Sequence, residues 1–362
     1  MQQHAGQNHM KPAFTVERFD GSNPHEVWAH CSAIARTMVY PSFFCSGDWL
    51  KVAAENLCPG DEAYILLAKD ADDIRGVLPL VRKRNALGGT DLHYLGSDFY
   101  PDPLGLICSP ADRADCAAAL RNHLLNAPDW DRLILDFLLE DEPADWTLPG
   151  KPVSVAPFKV LPRDFSELLG EFKKKKRYNL RAMVKKLLDA GGELAASSGP
   201  ESNIAYLDAL FFLHEKRASE RSLDSSFTGP RVQSLHRALV AASDNVRFFG
   251  LRLNGQMIAV IYGFEFCNRF FYYQVAHDPD HGHLSPGTVL LYLVIEACCG
   301  NGLTEFNFLQ GDETYKGIWT NDSRVLFRCV LNRSTWRSRV FSAVEESRGY
   351  VKRAMGLMSR GN

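Results

Sequence analysis

Two rhythms of apolar residues alternate along the chain. Residues 24–35 (PHEVWAHCSAIA) and 46–57 (SGDWLKVAAENL) repeat at helical spacing, whereas 63–70 (AYILLAKD) and 75–84 (RGVLPLVRKR) have the denser apolar character of strands. A turn at NALGGT leads to short strands at 91–96 and 104–109. The pattern then predicts a helix over 111–127, opened by Ser109-Pro110, and a strand at 131–140. The stretch DEPADWTLPGKP, residues 141–152, is rich in Pro, Asp and Gly and reads as a linker, which places a domain boundary near Pro157.

Beyond that point the spacing predicts one long helix from Asp164 or Ser166 to the stop signal Gly191-Gly192. Further helices are expected over 203–222 and 230–243. An antiparallel meander follows at 246–254, 256–266 and 269–278, with Asn254-Gly255 as a strong hairpin signal and a second turn at Cys267-Asn268. A loop at 279–288, an apolar helix to Gly302 and a strand at 303–309 complete the pattern. The expected units are residues 1–156, residues 157–345 and a helical tail over 346–362. Both halves run from helices to strands, which is compatible with a divergent duplication.

Composition narrows the classes. A chain of 362 residues exceeds one ordinary core and suits two domains. A formal net charge of −2 argues against a protein that coats nucleic acid through its overall charge, so any basic surface must be local. The N-terminal stretch lacks the pattern of a signal peptide and no run of about 18 apolar residues occurs, so a cytoplasmic setting is expected. Nine dispersed cysteines without a C-x-x-C pair read as buried thiols, and no metal is expected.

Candidate chemistry lies in two phrases. In HGHLSPGT, a helix starting near Gly287 and Thr288 would aim backbone N–H groups and the positive end of its dipole at the preceding loop, a place suited to a pyrophosphate. The plainer alternative is a turn that caps a core helix. In EFNFLQGDETYKGIWT, an apolar strand ends at Gly311 and two acids, a tyrosine and a lysine follow at once.

With the meander before them, HLSPGTVLLYLVIEACCGNGL and FNFLQGDETYK resemble the CelD-type family of GNAT-fold acyltransferases, relatives of the FemAB peptidyltransferases. PSFFCSGDWLKVA, GVLPLVRKRNALGG and YLGSDFYPDPLGLI are similar to the degenerate N-terminal half of that family. KKKRYNLRAMVKKLLDAGG, LHEKRASER and YYQVAHDP fall where the second half has comparable phrases. The resemblance implies an α/β (α+β) fold of two tandem GNAT-like domains, each a mixed sheet flanked by helices. One departure stands out: where members commonly carry Asp and Arg, this chain has Asn307 and Gln310.

The activity implied is transfer of an acyl group from a thioester, acyl-CoA (acetyl-CoA included) or an acyl carrier protein, to an amine by direct attack. The donor's pyrophosphate would sit at His281–Thr288, with His283, Ser285, Pro286, Gly287 and Thr288 as binding residues. The residues ending the last strands would face the thioester. Asp312 with Lys316 as its partner, and His214 as an alternative base, are the catalytic candidates; a structural ion pair and an ordinary helix histidine are the plain alternatives. Arg217, Tyr273, Gln274, Asn307, Gln310, Glu313 and Tyr315 are the substrate candidates.

The acceptor is expected in the cleft between the domains, either a long-chain amine as in bacterial ceramide synthesis or an amino sugar. The basic run from Lys173 to Lys186 is a solvated helix face, an anchor for a phosphate-bearing donor or carrier protein, or a contact with an anionic membrane. Nucleic acid is not an expected partner. An aminoacyl-tRNA-dependent transferase of FemAB type and a non-catalytic thioester-binding protein are the rival functions.

Overall fold

The structure, a computed structural model, describes residues 14–86, 88–220, 226–333 and 340; the tail expected over 346–362 lies outside them. Strand β1 (Thr15–Arg18) is followed by α1 (Pro24–Ala35), α2 (Gly47–Glu55), β2 (Glu62–Asp70), β3 (Asp73–Arg84), β4 (Thr90–Tyr94), β5 (Ile107–Cys108), α3 (Arg113–Asn126) and β6 (Arg132–Leu138). One turn of helix, α4 (Glu142–Asp145), leads to β7 (Lys151–Val160), α5 (Phe165–Gly170), α6 (Lys174–Asp189) and β8 (Gly192–Ala196). Then come α7 (Pro200–Glu220), α8 (Pro230–Ala242), β9 (Val246–Leu253), β10 (Gln256–Phe266), β11 (Arg269–His277), α9 (Pro286–Gly300), β12 (Glu305–Asn307) and β13 (Ser323–Asn332).

The strands join one sheet in the order β1-β2-β3-β4-β6-β13-β7-β12-β11-β10-β9-β8, with β5 added to β3. Each half is an antiparallel run closed by one parallel strand: α3 carries the chain from the β4 side to β6, and α9 carries it from β11 to β12. The meander forms as expected, and Asn254 and Gly255 both take positive φ, as a tight hairpin turn of this kind demands.

Two expectations change. The predicted long helix is two helices, because Phe172 turns inward to pack edge-on against Trp319 and Lys173 is extended. Arg177 Nη1 then caps the exposed end of α5, donating to Gly170 O at 3.1 Å and Phe172 O at 3.2 Å. The predicted linker runs into β7, a central strand despite Pro152 and Pro157. It changes partner along its length: Lys151–Pro157 face β13 and Phe158–Val160 face β12. Residues 156 and 157 therefore lie within one strand. The pattern also gave no sign of β8 or of β13, which reaches back to β6 of the first half.

Strand β10 is apolar from Met257 to Phe264 because it is covered on both faces. Val260, Tyr262 and Phe264 join a core shared with the first half, while Ala259 and Ile261 join a core beneath α5, α6 and α9. Phe43 of the first half stacks on Phe264 at 4.1 Å, and Phe44 meets Phe271 at 5.9 Å. The halves thus share apolar packing as well as a sheet.

A buried polar cluster ties the same parts together. The Glu305 carboxylate accepts from Tyr40 Oη at 2.5 Å and from both Arg324 Nη groups at 3.0 and 2.7 Å. The Arg269 and Arg324 guanidiniums lie over the Tyr40 ring. A buried charge that loses its partner is strongly destabilising. Glu305→Leu should therefore lower unfolding stability by about 3 kcal/mol, read as a shifted urea midpoint.

Candidate active site

Strands β11 and β12 pair in parallel through only three residue pairs, ending at Phe271 and Asn307. Strand β11 runs on to His277, while the other chain bends away through Leu309, which takes φ 57°, and Gly311 at φ 115°. A cavity of about 360 Å³ opens where they part. Tyr272, Tyr273, Gln274 and Val275 form one wall, and Phe308 to Gln310 with Glu313, Tyr315 and Lys316 form another. The first half supplies Asp98, Phe99 and Tyr100, and Phe227 and Val232 close the side. Hydrogen bonds cross between the walls: Tyr273 Oη donates to Phe99 O at 2.5 Å and Gln310 Nε2 to Tyr100 O at 3.4 Å.

Five of the expected substrate residues, Tyr273, Gln274, Gln310, Glu313 and Tyr315, are thus brought together with Lys316. Lys316 is only 3% exposed, and its ammonium donates to Leu309 O at 3.2 Å and Gln310 O at 2.7 Å. Its ionic partner is Glu313, at 2.8 Å, in place of the expected Asp312. Asp312 is exposed and does not line the cavity.

Asn307 does not line it either. It is fully buried, donating through Nδ2 to Tyr40 Oη at 2.9 Å and accepting from Leu309 N at 2.8 Å, so it holds the sharp bend. This accounts for an amide here: the single Tyr40 proton already goes to Glu305, so the next group must be a donor.

His214, on α7, is half-buried behind the meander wall and hydrogen-bonds the Gln274 side chain. Burial, reinforced by the Arg217 charge, brings its pKa down to about 4, so the imidazole is neutral at physiological pH. Arg217 acts electrostatically on Tyr272 and Tyr315, whose side chains hydrogen-bond each other. His214 also senses His277, which lies 3.2 Å from where a Cβ on Gly287 would stand.

The expected donor loop has a form that suits phosphate. Pro286 opens the 15-residue α9, Ser285 sits in the left-handed region without a capping side-chain bond, and Gly287 and Thr288 follow in the first turn. Nothing lies within 4 Å of a Cβ on Gly282, and exposed His283 and the Lys186 ammonium, 2.9 Å from His283 O, flank the loop. An anion at this helix start would meet backbone N–H groups and the positive dipole end together.

Sequence reasoning missed the first-half wall. Asp98, Phe99 and Tyr100 follow β4, and Asp102 behind them is fully buried. The only signal was the phrase YLGSDFYPDPLGLI, which carried part of the family resemblance but was assigned no site residue.

An antiparallel run, a crossover helix with a phosphate-suited start, and a parallel strand that splays from its neighbour are the marks of the GNAT fold. Residues 174–317 match the family model described as an acetyltransferase (GNAT) domain. Residues 174–317 carry that domain, and each half of the fold has the GNAT-like arrangement of an antiparallel run closed by one parallel strand. It is similar in structure to FemX (12% identity, TM-score 0.63), covering 87% of this chain and 98% of FemX. It is also similar to the C-terminal domain of a putative lysylphosphatidylglycerol synthetase from Agrobacterium fabrum (11% identity, TM-score 0.56, 86% and 93% covered). A third likeness is to L-PGS from Bacillus licheniformis (11% identity, TM-score 0.50, 73% and 83% covered). No curated protein sequence matches the chain.

Asn307→Asp should cost about 1–3 kcal/mol, because the new carboxylate would face Tyr40 Oη without a proton to accept and close to Glu305. Thermal unfolding at pH 7 of the variant beside wild type checks this; a stabilised variant would contradict the hydrogen-bond assignment.

Proposed function

We propose that the protein is an N-acyltransferase that moves an acyl group from a thioester, acyl-CoA or an acyl carrier protein, to a compact primary amine such as an amino sugar. One observation carries the reading: the splay of β11 from β12 opens an aromatic-walled cavity in a domain whose crossover helix has a phosphate-suited start. The cavity lies at the small end of the range of about 300–1,000 Å³ for ligand sites, which favours a compact acceptor over a long-chain amine.

Ser285, Pro286, Gly287 and Thr288, with Gly282 and His283, would hold the donor's phosphates. When bound, the donor supplies an activated acyl carbon. Asp98 and Glu313 hold the acceptor as its ammonium form, and the aromatic walls exclude water from it. His214, neutral above its lowered pKa, receives the amine proton through an intervening water, while its hydrogen bond to Gln274 orients the ring. The buried Lys316 ammonium supplies positive charge at the floor, where negative charge develops on the acyl oxygen. Direct attack is favoured over an acyl-enzyme, since the cavity wall includes no Cys or Ser among the described residues.

The basic helix α6 favours one second reading, an aminoacyl-tRNA donor. Contact with an anionic membrane remains a proposal on the same charges; no described helix is long and apolar enough to cross one.

Acyl-CoA consumption with a panel of amines tests the proposal, with RNase sensitivity separating the second reading. Tight binding of donor without turnover for any amine would refute the enzyme. Lys316→Met should lower kcat by about 100-fold with little change in KM, as expected when a group acts on charge that develops only in the transition state. Gly287→Val, crowding His277, should raise the donor KM about 10-fold with kcat nearly unchanged, measured by steady-state kinetics.

A further inference from the structure

One large aromatic residue of the first-half wall stands where folding alone would not keep it. Tyr100 is 66% exposed, although it lines the same cavity as Tyr273, Gln310 and Glu313. Its backbone takes φ 54° and ψ 44°, the left-handed region, where a bulky residue is an outlier and glycine is at ease. A ring left in water and a strained backbone thus fall on one residue, and strain of this kind collects at ligand clamps and active sites.

The surroundings fix that ring without covering it. Tyr100 N donates to Ser97 O at 3.4 Å, closing the single turn Ser97–Phe99. The Tyr100 carbonyl accepts from Gln310 Nε2 at 3.4 Å, and the Phe99 carbonyl before it accepts from Tyr273 Oη at 2.5 Å. Phe99 is buried, with the Arg231 guanidinium 4.5 Å from its ring centre, and Arg231 also pairs with Asp98 at 3.2 Å. Residues of the second half therefore hold the backbone of this turn from several sides, and Tyr100 projects from a rigid base.

An open aromatic face beside amide and carboxylate groups suits a ligand ring that is apolar on its face and polar at its edge. A pyranose is such a ring: its axial C–H groups can cover an aromatic face while its hydroxyls point outward. The Gln310 amide and the Glu313 carboxylate line the cavity with Tyr100 and are partners for ring-edge hydroxyls and for an ammonium. We propose that Tyr100 is the specificity-determining residue for the acceptor, a platform for the face of an amino-sugar ring whose amine points inward to Glu313. Its kinetic consequence rests on the acyltransferase reading, and its binding consequence does not.

The test is binding to the full chain, with and without coenzyme A, of glucosamine, propylamine and benzylamine, followed by ligand-observed NMR. Wild type should bind glucosamine more tightly than either of the other two. Tyr100→Gly removes the ring and relieves the backbone, so its thermal midpoint should equal or exceed that of wild type. The same variant should bind glucosamine about 10-fold more weakly, and propylamine within about twofold of wild type. Tyr100→Phe, which keeps the ring face, should restore glucosamine binding. A less stable Tyr100→Gly chain, an equal loss for propylamine, or a preference for the flat ring of benzylamine would overturn the platform. So would failure of wild type to bind glucosamine, even if another amine is acylated, which leaves the transferase reading standing. Ring-dependent glucosamine binding without acylation by any donor would instead refute the enzyme and support the platform.

Discussion

The early end of the β11–β12 pairing is the constraint on which the rest of the site depends. Two parallel strands can continue their ladder as long as both stay extended. Here the chain leaves after Asn307, because the Asn307 side chain takes the Leu309 N–H that the ladder would have used, and Leu309 adopts a left-handed conformation. That bend is held from behind by Tyr40, Glu305 and Arg324, which come from three separate parts of the chain. Without it there is no gap between the strands and no cavity.

The same cluster explains why the halves do not behave as beads on a string. Tyr40 lies in the first half, Glu305 on β12 and Arg324 on β13, and β13 itself pairs with β6 of the first half and with β7. Aromatic packing of Phe43 and Phe44 on Phe264 and Phe271 covers the adjoining face. The wall loop carrying Asp98 to Asp102 is consequently fixed to the second half, where Tyr273 and Gln310 bond its carbonyls. An acceptor held there would be in contact with both halves at once.

Electrostatics in the site follow burial. His214 is kept neutral by burial, and the Lys316 ammonium is held almost unexposed between two carbonyls and Glu313. Groups so placed are a burden to folding and an asset to chemistry that must stabilise charge without reorganising water. The exposed acid next to the strand end, Asp312, has neither property, and its neighbour Glu313 takes the ion pair.

Much of the fold was legible from pattern. Helical and strand periods located α1, α2, α3, α7, α8 and the meander, because each element buries a face that its own sequence advertises, and Asn254-Gly255 fixed a turn by local backbone sterics. The phrases around Ser285 and Gly311 likewise pointed to the two ends of the site. What the chain alone left open was whatever depends on a partner distant in sequence. β7 carries two prolines that argue against a central strand, and it accommodates Pro157 where its partner changes from β13 to β12 and Pro152 at a register irregularity against β13. Lys316 could have paired with either acid; the bend at Gly311 chose Glu313. The wall of Asp98, Phe99 and Tyr100 joined the site only when folding set its loop against Tyr273 and Gln310, since proximity in space is a property of the whole fold and not of neighbours in the chain.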